Sequence, residues 1–110
     1  MKKVGIIRCQ QTEDMCPGSN CFKAVRECTG SFEKIQPVEV VGFVSCGGCS
    51  GKRAVTRAKQ LVERGAEVIV LSSCIMKGTP IGFPCPFAEQ MKTAIERKVG
   101  ETVQVLSCSH

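Results

Sequence analysis

Four short apolar runs, each closing on a cysteine, limit what this chain can fold into more than any other feature. Lys3 to Arg8, with Val4, Ile6 and Ile7, stops at Cys9; Val38 to Val44 stops at Cys46. Val68 to Leu71 stops at Ser72-Ser73-Cys74, and Val103, Val105 and Leu106 run into Cys108. Runs this short and this apolar suit strands covered on both faces, as in a parallel sheet. Between them lie stretches of helical period. Cys21, Phe22, Val25 and Cys28 fall at i, i+1, i+4 and i+7, with Asn20 as N-cap and Gly30 as stop. After Cys46, Ala54, Val55, Ala58, Leu61 and Val62 share one side, Lys52, Arg53, Arg57, Lys59 and Arg64 mostly the other, and Gly65 closes the helix. A loop with Gly78, Pro80, Gly82 and Pro84 leads to Cys85-Pro86. Pro86 suits the first turn of a third helix, which carries Phe87, Met91 and Ile95 and ends at Gly100.

The order β-α-β-α-β-α-β predicts one α/β domain over residues 1–110, a four-stranded parallel sheet with right-handed crossovers and three flanking helices. Strand order 2-1-3-4 makes it flavodoxin-like. In a parallel sheet every strand ends at the same edge, so Cys9, Cys46, Cys74 and Cys108 converge on one rim, where open α/β sheets hold their ligands. This topology also leaves the first helix alone on one face. Apolar strand surface left bare there predicts a homodimer.

Nine cysteines in 110 residues is an odd count, and no secretion signal accompanies it, which argues for metal or redox chemistry over a closed disulfide framework. No run approaches the ~18 apolar residues of a spanning helix, so no membrane is expected and the predicted location is cytoplasmic. The formal charge is +5, but there is no Trp or Tyr and the basic residues alternate with acids on helices. No nucleic-acid surface is implied.

Cys46-Gly47-Gly48-Cys49 opens the second helix, where backbone amides and the positive dipole end favour thiolate, and two glycines let both sulfurs face one point. It reads as a metal-binding pair or a dithiol redox pair. The stretch from Cys46 to Arg53 nearly spells a phosphate loop but puts Cys46 where the first glycine belongs and Arg53 where a hydroxyl should hold magnesium. A Cys-x5-Arg phosphatase loop also fails, because Lys52 and Met15 stand six residues after Cys46 and Cys9. Cys16 and Cys21 flank Pro17-Gly18 on the first rim loop, and Cys85 starts the third helix, so all three can approach the rim. Cys28, on the apolar stripe, reads as a small core residue, and Met76 as packing. His110 follows the last strand onto the rim as a possible ligand. Of the carboxylates only Glu13 and Asp14 fall on the rim, and no triad order exists.

Cys46-Gly47-Gly48-Cys49 with Cys9, the Cys16-Pro17-Gly18-Ser19-Asn20-Cys21-Phe22 loop, Cys74, Cys85-Pro86 and a terminal His110 resembles the CGGC domain family, small prokaryotic proteins named for that motif. The resemblance runs along essentially the whole chain and implies a metal-binding domain, with zinc suggested. Carried over by position, it implies the site set Cys9, Cys16, Cys21, Cys46, Cys49, Cys74, Cys85 and His110. The end Cys108-Ser109-His110 departs from the family's more frequent Gly-Thr-His, which leaves Cys108 outside that set. The expected function is therefore zinc binding at a cysteine-rich rim; the alternatives are an iron–sulfur cluster and a thiol-disulfide oxidoreductase built on Cys46 and Cys49.

Overall fold

A computed structural model describes residues 2–10, 16–49, 51–78, 85–107 and Ser109. Four parallel strands form one sheet: β1 (Lys2–Arg8), β2 (Val38–Ser45), β3 (Val68–Leu71) and β4 (Gln104–Ser107), in the order β2-β1-β3-β4. The helices are α1 (Ser19–Glu27), α2 (Lys52–Glu63), α3 (Ser73–Met76) and α4 (Ala88–Val99), with a 3-10 turn at Gly30–Phe32. The expected α/β class and strand order hold. Among the described residues no helix is long and apolar enough to cross a membrane.

Alternation along the central strands sorts the core into two layers. Ile7, Ile69 and Leu71 face α2 and α4, meeting Ala54, Ala58 and Leu61 from one helix and Ala88, Met91 and Ile95 from the other. Val4, Ile6, Val68 and Val70 face the opposite way, toward Ala24 of α1 and Phe32. That second layer corrects an expectation. Phe32, fully buried, and half-buried Ile35 fill the surface beside α1, so Val4, Ile6, Val68 and Val70 are at most 1% exposed. Among the described residues, the central strands are therefore covered on the face beside α1. Among the described residues Phe22 is the only large apolar side chain classed as exposed.

A register shift in β2 positions α2. Val4 pairs with Val40, but Gly5 pairs with Gly42, so Val41 is skipped and two glycines stand side by side. Leu61 of α2 settles on them. A Cβ on Gly5 would lie 2.8 Å from Leu61 Cδ1, and one on Gly42 would collide with Leu61 Cδ2. Here glycine provides close approach of helix to sheet rather than an unusual backbone angle.

Several element boundaries differ from the expected ones. The single-turn helix α3 makes four helices instead of three, because Ser72 ends β3 and its carbonyl accepts the Ile75 and Met76 amides. α1 starts at Ser19 with Gly18, φ 87°, at its N-cap, so Asn20 lies inside the first turn. α4 starts at Ala88, leaving Pro86 in the preceding turn. β2 is an edge strand and stays half-buried along most of its length, since only β1 pairs with it. Cys28 is the left-handed C-cap of α1, φ 56°, and not a core residue; Thr29 closes the cap by donating to the Ala24 carbonyl. Gly65 ends α2 as expected, with its amide on the Val62 carbonyl. The expectations for Glu13, Asp14, Pro80, Gly82, Pro84, Cys108 and His110 fall outside the described residues.

Candidate functional site

The sheet ladder continues past its strands and brings the cysteines together at one edge. Beyond β1, the Cys46 amide donates to the Arg8 carbonyl at 2.7 Å and the Ser72 amide to the Ile7 carbonyl at 2.9 Å. The turn after β2 and the turn after β3 are thereby locked to the end of the central strand. Cys74 does not end a strand, as its sequence position suggested, but sits in α3. The helical turn points it back over β1: the Cys9 amide donates to Cys74 Sγ at 3.1 Å, and Ser72 Oγ lies 2.8 Å from the same sulfur.

Cys16 and Cys21 form one side of the rim. The Gly18 amide turns back to Cys16 Sγ at 3.4 Å, in a bend that Gly18's positive φ permits. A side chain at Gly18 would strike the Phe43 ring. Cys21 is buried, and its sulfur lies 3.1 Å from Ser109 Oγ, which also accepts the Ser73 amide at 3.4 Å. Arg8, only 8% exposed, extends beneath this side: its Nη2 donates to the Cys16 carbonyl, and its guanidinium lies 5.9 Å from the Phe43 centroid. Phe22 stacks on Phe43 at 5.0 Å. Burial pushes the Cys21 thiol above its ordinary pKa; the Ser109 hydrogen bond opposes that, Cys74 and Cys16 add to it, and Arg8 eases it.

Cys46, Cys49 and Cys85 form the other side. Gly47 and Gly48, both at positive φ, turn the chain so that Cys46 is buried and Cys49 is exposed before α2 begins. The Cys85 amide donates to the Ile75 carbonyl at 2.9 Å, anchoring this cysteine to α3, and the Phe87 amide reaches Cys85 Sγ at 3.4 Å. Burial raises the Cys85 thiol, the Phe87 amide opposes the rise, and Cys46, Cys49 and Cys74 reinforce it. Cys74 is thus the sulfur felt from both sides.

Cys16, Cys21, Cys28, Cys46, Cys49, Cys74 and Cys85 are thiols and not disulfides. Among the described residues no three Cys, Asp or Glu side chains stand close enough to hold a metal ion together. The structure therefore gathers Cys9, Cys16, Cys21, Cys46, Cys49, Cys74 and Cys85 on one rim without closing them into one coordination sphere, and leaves Cys28 apart on α1. Arg8, Ser72 and Ser109 were not expected at the site. Only an arginine at the end of an otherwise buried strand hinted at one of them.

The family model for the CGGC domain matches residues 3–110. The chain belongs to the CGGC domain family. Two relatives come from Methanocaldococcus jannaschii. This CGGC domain is 46% identical over 78 residues to uncharacterized protein MJ0582, covering 66% of this chain and 61% of the relative, so it spans about three-fifths of that protein. It is 36% identical over 64 residues to uncharacterized protein MJ0766, covering 57% of this chain and 92% of the relative. No solved structure matches it.

Proposed function

We propose that this CGGC domain, acting as a single domain in the cytoplasm, binds a metal ion through thiolates on its sheet rim. The observation that carries the reading is the set of backbone amides aimed at sulfur. Gly18 donates to Cys16, Cys9 to Cys74 and Phe87 to Cys85, at 3.4, 3.1 and 3.4 Å. Such bonds around metal-bound cysteines orient the ligand and tune the site. A core packing role would not require amides on three sulfurs from three separate turns.

The donor chemistry fits a thiophilic cation. Ligands would be drawn from Cys9, Cys16, Cys21, Cys46, Cys49, Cys74, Cys85 and His110, after side-chain rotations that bring them into one sphere. Zinc suits four sulfur or nitrogen donors in a reducing compartment, and when bound it supplies positive charge that keeps those thiols deprotonated. An iron–sulfur cluster would need four thiolates from the same set. The protein's own part is to place the sulfurs and direct amide hydrogens at them.

A second reading follows from one contrast. Cys49 is exposed and Cys46 buried across a two-glycine turn, the arrangement of an attacking and a resolving thiol. Cys49 thiolate would attack a substrate disulfide, releasing one substrate thiol; Cys46 would then displace the second and leave a Cys46–Cys49 disulfide. Elemental analysis with an absorption spectrum, on protein purified anaerobically without an affinity tag, separates these readings. Near-stoichiometric zinc with about four thiols protected from titration supports zinc binding. Iron with visible charge-transfer bands supports a cluster. Absence of metal with all nine thiols titratable overturns the metal reading and favours dithiol exchange. That second reading would then require disulfide reduction that Cys46→Ser and Cys49→Ser each abolish.

A further inference from the structure

Arg8 is the only buried charged side chain among the described residues. It follows the apolar run of β1, and its guanidinium is directed under the rim, not into solvent. Nη2 donates to the Cys16 carbonyl, the guanidinium carbon lies 5.9 Å from the Phe43 centroid, and the Phe43 ring is backed by Phe22 at 5.0 Å. Guanidinium stays charged at every physiological pH and stacks readily on aromatic faces, whereas a lysine ammonium is more strongly hydrated. The other basic groups near the rim are placed differently. Arg57 donates to the Ser45 carbonyl and hydroxyl at 3.0 and 2.9 Å, while Lys52 and Arg53 are exposed at the start of α2.

We propose that Arg8 is a positioning residue of the metal site, a fixed buried cation that makes the Cys16–Cys21 side its retentive half and leaves the Cys46–Cys49 side to exchange with solvent. This rests on the metal-binding reading above. Several thiolates around one divalent ion leave net negative charge, and holding it in a partly dehydrated rim is costly without a nearby cation. Arg8 supplies one from beneath Cys16 and Cys21. On the other side Cys49 is open to water, which screens its charge without help from a buried group.

The test compares wild type with Arg8→Gln and Arg8→Lys. Both replacements can still donate a hydrogen bond, but only lysine keeps the charge. Zinc affinity is read by competition with a chromophoric chelator. In the metal-free, reduced protein, iodoacetate and iodoacetamide label each cysteine, resolved by peptide mass spectrometry. The ratio of the two rates cancels thiolate fraction and reports local positive charge. The glutamine variant should bind zinc ~10–100-fold more weakly, the range for losing a supporting group around a metal ligand, and lysine should recover most of that loss. The iodoacetate preference at Cys16 and Cys21 should fall in Arg8→Gln and persist in Arg8→Lys, with Cys49 unchanged. Equal impairment of both variants, or of neither, overturns the Arg8 inference while leaving metal binding intact. Wild-type protein that takes up no zinc overturns the metal reading, and this inference with it. Should the glutamine variant not fold, wild type alone decides: iodoacetate preference at Cys16 and Cys21, absent at Cys49 and retained in high salt, supports a fixed buried cation, and its absence refutes one.

Discussion

Burial separates the rim thiols chemically. Cys49 is exposed, whereas Cys21 is 5% exposed and Cys85 half-buried, and desolvation is the main cause that raises both of the latter above the ordinary thiol range. A raised pKa means less thiolate at any given pH, so these two should react more slowly near neutrality and gain rate only as pH climbs toward their shifted values. In metal-free, reduced protein at neutral pH, iodoacetamide should label Cys49 first, with Cys21 and Cys85 at least ~10-fold slower. Peptide-resolved mass spectrometry checks the order. Labelling of Cys21 before Cys49 would mean that the turn after Gly18 opens more readily than the Ser109 contact allows. Residue types alone could not have ordered these thiols, because Cys21 meets Ser109, from the far end of the chain, only in the fold. Arg8 was hidden for a similar reason: its environment exists only once Phe43 of β2 and the Cys16 turn have closed over the end of β1.

At the scale of elements, the glycine pair under α2 decides how close the helix comes to the sheet. Leu61 is 6% exposed and rests where side chains at Gly5 and Gly42 would be. Gly42→Ala must displace Leu61 or the strand, and overpacking of this kind costs about 1–3 kcal/mol. Leu61→Ala should cost about 2–5 kcal/mol through lost burial and the cavity it leaves. In the double variant the new methyl occupies space that Leu61 vacated, so the combined loss should be smaller than the sum of the two. Urea unfolding of the four proteins measures the coupling; additive losses would show that Leu61 does not bear on Gly42. The alternation of strands and helices was legible from hydrophobic period, and strand order 2-1-3-4 was read correctly from the expected fold family. The skipped Val41 was not legible, because β2 reads as a uniform apolar run in which either register buries a valine. Helix starts were misplaced where proline and asparagine preferences at Pro86 and Asn20 yielded to turns set by Gly18 and Cys85. Cys74 was expected as a strand end but sits in a helical turn, since Ser72 caps α3 and Ser73 begins it.

Across the whole molecule, the rim gathers parts of the chain that lie far apart in sequence. Cys9 follows β1, Cys46 and Cys49 follow β2, Cys74 and Cys85 are tied through α3, and Ser109 follows β4. A ligand bridging these segments would bind the folded chain and stabilise it by mass action. With free zinc ~100-fold above its dissociation constant the gain is about 2.7 kcal/mol, roughly 10 °C in Tm for a domain this size. Cysteines of the unfolded chain also take up zinc, so that figure is an upper bound. Cys74 is the sulfur that both Cys21 and Cys85 feel. Cys74→Ser should therefore abolish most of the shift, while Cys49→Ser, altering only the exposed end of one side, should keep a substantial part. Thermal unfolding of wild type and the two variants, with zinc and with chelator, makes the comparison, and the chelated samples remove any packing difference between sulfur and oxygen. A zinc shift that survives in Cys74→Ser would divide the rim into two independent sites. Its loss in that variant, with retention in Cys49→Ser, would make Cys74 the point where the turns after β1, β2 and β3 are joined.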